Sequence, residues 1–567
     1  MNLLKSWQRP KPAALLLAAL LILPALFTPL ATMGRILRPN AAVVPDDIML
    51  GGILFRIGLV ILGGIVLLLA GLPLWQRPSR ADRPSPVPRW AIILLVLLLL
   101  LALGMRLFQL GSGLWFDEIL TYMNYARLPM GELVSSYEDE NQHFLFSIGA
   151  HLSFLIFGES AWALRLPAAL FGVASIGALF YFGRTVSSDR EGLLAAALLA
   201  LSYHHVWFSQ NARGYSGLLL WSIVASWLFI RALRESDNRL WLAYAASAAL
   251  GMYTHMTMMF VIFGHLTYYG WTLWRRRGAA WPERWHGFFL GFSIGGFLTL
   301  LLYSLVLPHM FTAIANTVSV VEEWRNPLWT LLELVNGIMV GFSGFSGGLI
   351  AVGVVALIGA LLLFGVGVVS YWRSDGYVLN LLFVPAVTGA LITIAMGHHL
   401  WPRFFFFAFG FGALVVVRGV MRTGEWLSGR FRWPAARAAW VGTALCLLLI
   451  LASGASSLFA YGPKQDYESA RAYIEANAQP GDAVVVVDLT GHIYDNFYNL
   501  DWTVVESQAE LTAVRAAASR TWMLYTFVPV LESVYPDVMA DIEQNFNTVV
   551  IFPGSVGAGE IIVALAQ

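Results

Sequence analysis

Repeated long apolar runs constrain this chain more than any other feature. In its 567 residues, thirteen mostly apolar stretches fall near 13–32, 50–73, 90–110, 161–182, 191–208, 215–233, 239–254, 256–274, 287–307, 349–371, 377–397, 404–421 and 438–459. A run of about 17 to 25 such residues is long enough to cross the hydrocarbon core of a bilayer as a helix. Irregular backbone cannot do so exposed to lipid, which offers no partner to its N–H and C=O groups. Charged residues make up only 12% of the chain, against roughly 25% in a soluble domain. The expected class is therefore a polytopic α-helical membrane protein with about 13 transmembrane helices. Lys5, Arg9 and Lys11 precede the first run, which is too long for the core of a cleaved signal and has no clean cleavage site after it; it reads as a retained helix.

Basic residues in the short loops set an orientation. If the runs alternate, one side collects Arg77, Arg80, Arg83 and Arg89 of a Pro-rich connector, then Arg184 with Arg190, then Arg231, Arg234 and Arg239. Arg275 to Arg277, Arg373, and Arg418, Arg422, Arg430, Arg432 and Arg437 fall on that side too. With it cytoplasmic, the N-terminus lies inside and the C-terminus outside. Two further apolar stretches, His143 to Phe157 and Leu328 to Met339, would break the alternation as full spans. Each is expected to lie at the outer interface or dip into it. Parity then brings FDE at 116–118, EDENQH at 138–143, SQNARGYS at 209–216, YTH at 253–255 and HHLWPR at 398–403 to the outer face.

After Tyr461 helix-like and β-branched runs alternate, from YESARAYIEANA and AVVVVD to NTVVIF and EIIVAL, which predicts a small α/β domain outside the membrane. That domain has no GxGxxG and no obvious catalytic cluster; its place suits covering or selecting an acceptor. The net charge of +1, with no basic aromatic-interleaved patch, gives no case for nucleic acid. The single cysteine, Cys446, excludes an intrachain disulfide and a Cys-based zinc site.

The chemistry centres on GLWFDEIL, Gly113 to Leu120, where two adjacent acids follow an apolar run. Acids often merely mark the end of a span, but here other polar clusters share their side. An enzyme on an outer membrane face has no nucleotide sugar at hand, so an activated substrate is expected to arrive in the lipid. Transfer from a lipid phosphate needs chiefly a base for the acceptor and cations for the departing phosphate. Asp117 is the candidate base and Glu118 an orienting or binding group. Arg213 and Arg403 are the candidate cations, since an arginine at the mouth of an apolar bundle is costly unless paired, and phosphate is a bidentate partner. Capping a helix end or reaching the headgroups is the plainer role for each. Glu140 and His143 would share a face if their segment were helical. With His255 they could bind a divalent metal, although substrate binding by His143 or His255 is the stronger expectation. His204, His205, His398 and His399 receive no role.

The order WFDE, then E-N-x-H-x-L-F-S, FGES-A-W-ALRLPA, SQNARGYS, GMYTH and PRFFFF resembles bacterial GT-C glycosyltransferases. The group is family 39-like: protein O-mannosyltransferases and aminoarabinose-transferase-related proteins. The likeness covers roughly Leu103 to His255 well and the rest loosely. It implies an inverting transferase that takes a sugar from a polyprenyl-phosphate carrier at the outer face and gives it to a glycan, lipid or protein acceptor. In that resemblance Asp117 and Glu118 match the first-loop acidic motif and His143 the His-Pro-Pro-like motif. Gln210, Ala212, Arg213 and Tyr215 match Gln-x-Ala-Arg-x-Tyr. Phe144 stands where proline is usual, and two extra spans precede the acidic loop. The implied layout is 1–89 for two added helices and a cytoplasmic connector, 90–460 for the transmembrane catalytic domain, and 461–567 for the extracytoplasmic α/β domain. A lipid-linked substrate transporter or flippase would place ionisable groups near the midplane of broken helices and often repeat internally; the acids here crowd a loop and no repeat is visible. A non-catalytic lipid-binding scaffold remains the other alternative.

Overall fold

The computed structural model describes residues 10–72, 85–235, 237–275, 287–316, 321–326, 347–397 and 400–567, with a few more between 328 and 335. Lys5, Arg9, Arg77, Arg80, Arg83, Arg276, Arg277, His398, His399 and half of Leu328 to Met339 lie outside the described residues.

Each of the thirteen runs is helical over most of its length, but not every one is a straight span. By length and composition eight described helices can cross a membrane, or ten if two bent pairs count as one span each. The first bent pair corrects the expected run at 13–32. Helix α1 (Pro12–Phe27) ends at Thr28, and the chain turns through 101° into α2 (Leu30–Leu37), since Pro29 lacks the N–H that would continue the helix. Then come α3 (Asp46–Gly71), α4 (Arg89–Leu107) and three short elements, α5 (Phe116–Thr121), α6 (Met130–Leu133) and α7 (Phe144–Phe157). At 14 residues, α7 is about 21 Å long, too short for a hydrocarbon core of about 30 Å. A dipping or interfacial helix fits that length.

Helix α8 (Ala161–Val186) leads to α9 (Asp189–Leu201) and α10 (Tyr203–Ser209), bent by 65° at Ser202, so the run expected at 191–208 is broken. Next are α11 (Tyr215–Arg234), α12 (Asn238–Thr254) and α13 (Met258–Arg275). Later helices occupy Gly347–Ser374, Tyr377–Ala395, Phe409–Arg430 and Ala435–Phe459. Small residues let these helices meet closely: a Cβ on Gly183 of α8 would lie 2.7 Å from Gly192 Cα of α9.

The N-terminal helices dock on these short elements. Arg38, just past α2, donates from Nη2 to Ser135 O at 3.0 Å and Ser136 Oγ at 3.1 Å. A side chain at Gly131 of α6 would collide with the Ile36 carbonyl.

The C-terminal region forms a five-stranded sheet in the order β2-β1-β3-β5-β4. Strands β1 (Ala483–Val487), β2 (Thr503–Val505) and β3 (Thr521–Tyr525) are parallel, whereas β4 (Asn547–Phe552) and β5 (Ile561–Ala566) complete it antiparallel. Alternation along β1 and β3 divides the side chains between two cores. Val485, Val487 and Met523 face one cluster with Leu511 and Ile542. Val486, Trp522 and Leu524 face the other, which runs without interruption into Leu114, Ile119 of α5, Phe146 of α7 and Leu164 of α8. One apolar core thus joins the domain to the membrane unit.

Candidate active site around helix α5

Helix α5 carries both acids in its first turn, where carboxylates suit the positive end of the helix. Successive residues of a helix diverge by about 100°, so the two side chains enter different surroundings.

Glu118 points inward and is wholly buried. Arg165 of α8 grips it bidentately, Nε to Oε1 at 2.8 Å and Nη2 to Oε2 at 2.5 Å. The remaining Arg165 donors reach Leu110 O at 2.9 Å, Ser112 O at 2.6 Å and Gly113 O at 2.8 Å. Glu118 also accepts from Trp115 N at 3.3 Å and Ala212 N at 2.7 Å, and Lys464 Nζ stands 3.7 Å from Oε1. Burial works to raise its pKa, but Arg165, Lys464 and the Ala212 N–H together hold it below the usual carboxylate value. This carboxylate has every lone pair engaged, which suits the orienting role better than proton transfer.

Asp117 points the other way, with a side chain 16% exposed. Arg213 Nη1 lies 2.9 Å from its Oδ2 and Arg403 Nη1 lies 3.7 Å from the same oxygen. The two arginines expected from loops far apart in sequence therefore flank one carboxylate. Arg403 stacks over Trp401 at 4.6 Å, and its Nε has no hydrogen-bond partner among the described residues. Burial works against the charge on Arg213, but Asp117, Tyr215 and Asp139 together outweigh it and raise the pKa, so the guanidinium stays cationic.

Behind Arg213 lie the expected histidines. Arg213 Nε donates to His143 Nε2 at 3.2 Å, and His143 Nδ1 is 3.2 Å from the Thr254 carbonyl. A carbonyl only accepts, so the proton of His143 sits on Nδ1. Gly214 makes room for this contact: a Cβ there would lie 2.6 Å from Thr254 O and 2.8 Å from His143 Nδ1. The His255 ring is 4.7 Å from His143 and 5.0 Å from Tyr215. His255 Nδ1 accepts from Thr257 N at 3.2 Å, leaving its proton on Nε2. Burial, then Arg213 and Arg403, push the His255 pKa down to about 3; burial, Arg213 and His255 push that of His143 well below its ordinary value. Both rings are neutral at physiological pH.

The shared helical face expected for Glu140 and His143 does not form. Residues 139–141 are a turn, with Asp139 Oδ1 accepting from Asn141 N at 2.7 Å and from Tyr125 OH at 3.0 Å. Glu140 is exposed, His143 is buried at the start of α7, and among the described residues no group of three His, Cys, Asp or Glu side chains is placed to hold a metal. Phe144, in the position where proline is usual, opens α7 stacked on Tyr253 at 5.0 Å.

Several further residues shape the site with weak signals in the sequence or none. Arg165 carried a signal, as a lone arginine in the apolar run of α8. Asn141, whose Nδ2 donates to the Asp117 carbonyl at 3.0 Å, was visible only as part of a polar cluster. Lys464 and Gln465 carried none.

Residues 144–294 match the model of a family described as dolichyl-phosphate-mannose-protein mannosyltransferase. No curated protein matches the chain significantly. Among solved structures, ArnT from Cupriavidus metallidurans in the apo state aligns at 13% identity over 84% of this chain and 97% of that one, with a TM-score of 0.46. The same protein bound to undecaprenyl phosphate gives 13% identity, 84% and 98% coverage and a TM-score of 0.41. The Archaeoglobus fulgidus oligosaccharyltransferase in complex with Zn and sulfate gives 12% identity, 82% and 72% coverage and a TM-score of 0.48. The described apolar helices make the chain a multi-pass membrane protein, and the family match over residues 144–294 agrees with the resemblance to family 39-like glycosyltransferases. That match supports glycosyltransferase activity.

Proposed function

We propose that this protein is an inverting glycosyltransferase that moves a sugar from a polyprenyl-phosphate carrier to an acceptor hydroxyl. The reaction takes place on the outer face of the cell membrane, with the N-terminus cytoplasmic and the α/β domain outside. The observation that carries the reading is the charge at the open side of α5. One partly exposed carboxylate lies between two arginines and near two neutral histidines, a local excess of positive charge that suits a phosphate. The family description, with its dolichyl-phosphate sugar, supports the same class of donor.

In this scheme Asp117 accepts the proton of the acceptor hydroxyl. The acceptor oxygen forms its bond to the anomeric carbon as the bond from that carbon to the phosphate oxygen breaks. The electron pair leaves with the polyprenyl phosphate, whose charge Arg213 and Arg403 neutralise. His143 holds Arg213 in place, and His255 with Tyr215 walls the sugar side. A positioned base of this kind contributes about 10²- to 10⁴-fold.

The test uses purified protein in nanodiscs with a panel of short-chain polyprenyl-phosphate sugars and membrane extract as acceptor, following donor loss by mass spectrometry. Consumption by wild type but not by Asp117→Asn is expected. Donor binding without consumption by wild type would overturn the transferase and direct attention to lipid translocation. Equal consumption by both proteins would remove Asp117 as the base.

A further inference from the structure

The segment joining the last membrane helix to the α/β domain reaches into the candidate site. Phe116 opens α5, and its backbone N–H is one of those that no carbonyl of the helix itself can satisfy. It donates instead to Gln465 Oε1 at 3.0 Å. Because a backbone N–H can only donate, the amide of Gln465 is oriented, and its Nε2 faces Thr526 Oγ1 at 3.2 Å at the end of β3. Gln465 is 2% exposed and Thr526 1% exposed. One residue earlier, Lys464 Nζ donates to Gln210 O at 2.7 Å, lies 3.7 Å from Glu118 and stands over the Trp207 ring at 5.4 Å.

The segment is itself fixed by the domain. Ser555 N donates to Pro463 O at 3.0 Å, and Ser555 Oγ accepts from Trp207 Nε1 at 2.9 Å. Phe527, which follows β3 with a φ of 54°, meets the edge of Phe116 at 5.9 Å. Asp117 therefore sits between two residues held from the α/β domain, Phe116 by Gln465 and Phe527, Glu118 by Lys464.

We propose that the α/β domain is a working part of the site. It acts as a latch in which Gln465 and Lys464 are positioning residues that hold α5 so that Asp117 faces Arg213 and the acceptor. This rests on the transferase reading given above. Neither residue touches the reacting atoms; each acts through the backbone or neighbour of Asp117. Displacement of a reacting group by about 1 Å can cost on the order of 10²-fold in rate, so loosening the latch slows the chemical step while leaving the arginines free to bind donor.

The experiment uses full-length protein in nanodiscs with Gln465→Ala, Gln465→Glu, Lys464→Met and Lys464→Arg. Gln465→Ala and Lys464→Met are expected to lower kcat by about tenfold or more, with donor affinity within about twofold of wild type. Gln465→Glu keeps the acceptor for the Phe116 N–H and Lys464→Arg keeps the donor for Gln210 O, so each recovers most of the loss. Hydrogen exchange provides a readout that does not depend on activity: amides of residues 116–119 exchange faster in Gln465→Ala, while those of β1 and β3 are unchanged. Wild-type kcat and unchanged exchange in Gln465→Ala would overturn the latch. So would faster exchange spread through the whole domain, which marks general destabilisation. If wild type consumes no donor at all, the transferase reading fails, and the exchange measurement alone decides whether the latch exists.

Discussion

On one side of α5 the Glu118 carboxylate is wholly buried among Arg165, Lys464 and two backbone N–H groups, whereas on the other Asp117 is 16% exposed and faces Arg213 and Arg403. Both acids meet two cations, yet their settings differ in kind. Around Glu118 the donors of Arg165 are used up on the carboxylate and on three carbonyls, so the group is a rivet between α5, α8 and the turn that carries Arg213. Around Asp117 the arginines keep capacity for another anion. The difference teaches that a pair of neighbouring acids can divide structure and chemistry between them, with helix geometry alone sending them apart.

The comparison can be broken in four ways. The largest effect belongs to Asp117→Asn, which is expected to lower turnover about 10²- to 10⁴-fold with a smaller fall in melting temperature than Glu118→Gln gives; a larger fall than that with preserved turnover would reverse the roles of the two acids. Glu118→Gln comes next, leaving the Arg165 guanidinium buried without its counter-charge. Breaking such a pair typically costs about 3–5 kcal/mol, read as a lower thermal unfolding temperature, and unchanged stability would show that Glu118 is no rivet. Arg403→Ala removes a charged donor worth about 1.5–3 kcal/mol, so the Kd for a polyprenyl-phosphate sugar should rise by roughly one to two decades while acceptor KM holds; equal loss for both substrates would count against a phosphate role.

The smallest effect is that of pH. His143 and His255 have pKa values depressed in the folded protein, that of His255 to about 3, against 6.5 for a free histidine. Their contribution is complete above pH 6.5 and is lost as pH falls towards 3, because in that window the unfolded chain binds protons that the folded one does not. Thermal stability should therefore decline on acidification, with a shallower slope in His255→Asn; identical slopes would mean that His255 is not held neutral.

Much of the membrane architecture was legible because a span requires only local composition, and composition is written in consecutive residues. The thirteen runs, the short helix before Phe157 and the alternation of helix and strand after Tyr461 all follow from that. The breaks at Thr28 and Ser202 were not legible, since an apolar run looks the same whether it is straight or bent. The pairing of Glu140 with His143 assumed a helix where Asp139 instead caps a turn with its own side chain. Arg213 and Arg403 were found because a charge in apolar surroundings stands out; Arg165 carried the same signal and was passed over.

The sequence by itself determined that this is a helical membrane protein whose scarce charges fall in a few polar clusters, because hydrophobicity and the scarcity of charge act residue by residue. Only the tertiary structure decided which acid is sealed and which is open, that Arg213 and Arg403 meet at one oxygen, and that Gln465 reaches back to Phe116. Those facts depend on contacts between segments up to 349 positions apart. Such contacts are fixed by how helices and sheet pack around a common core, and no local pattern of residues encodes them.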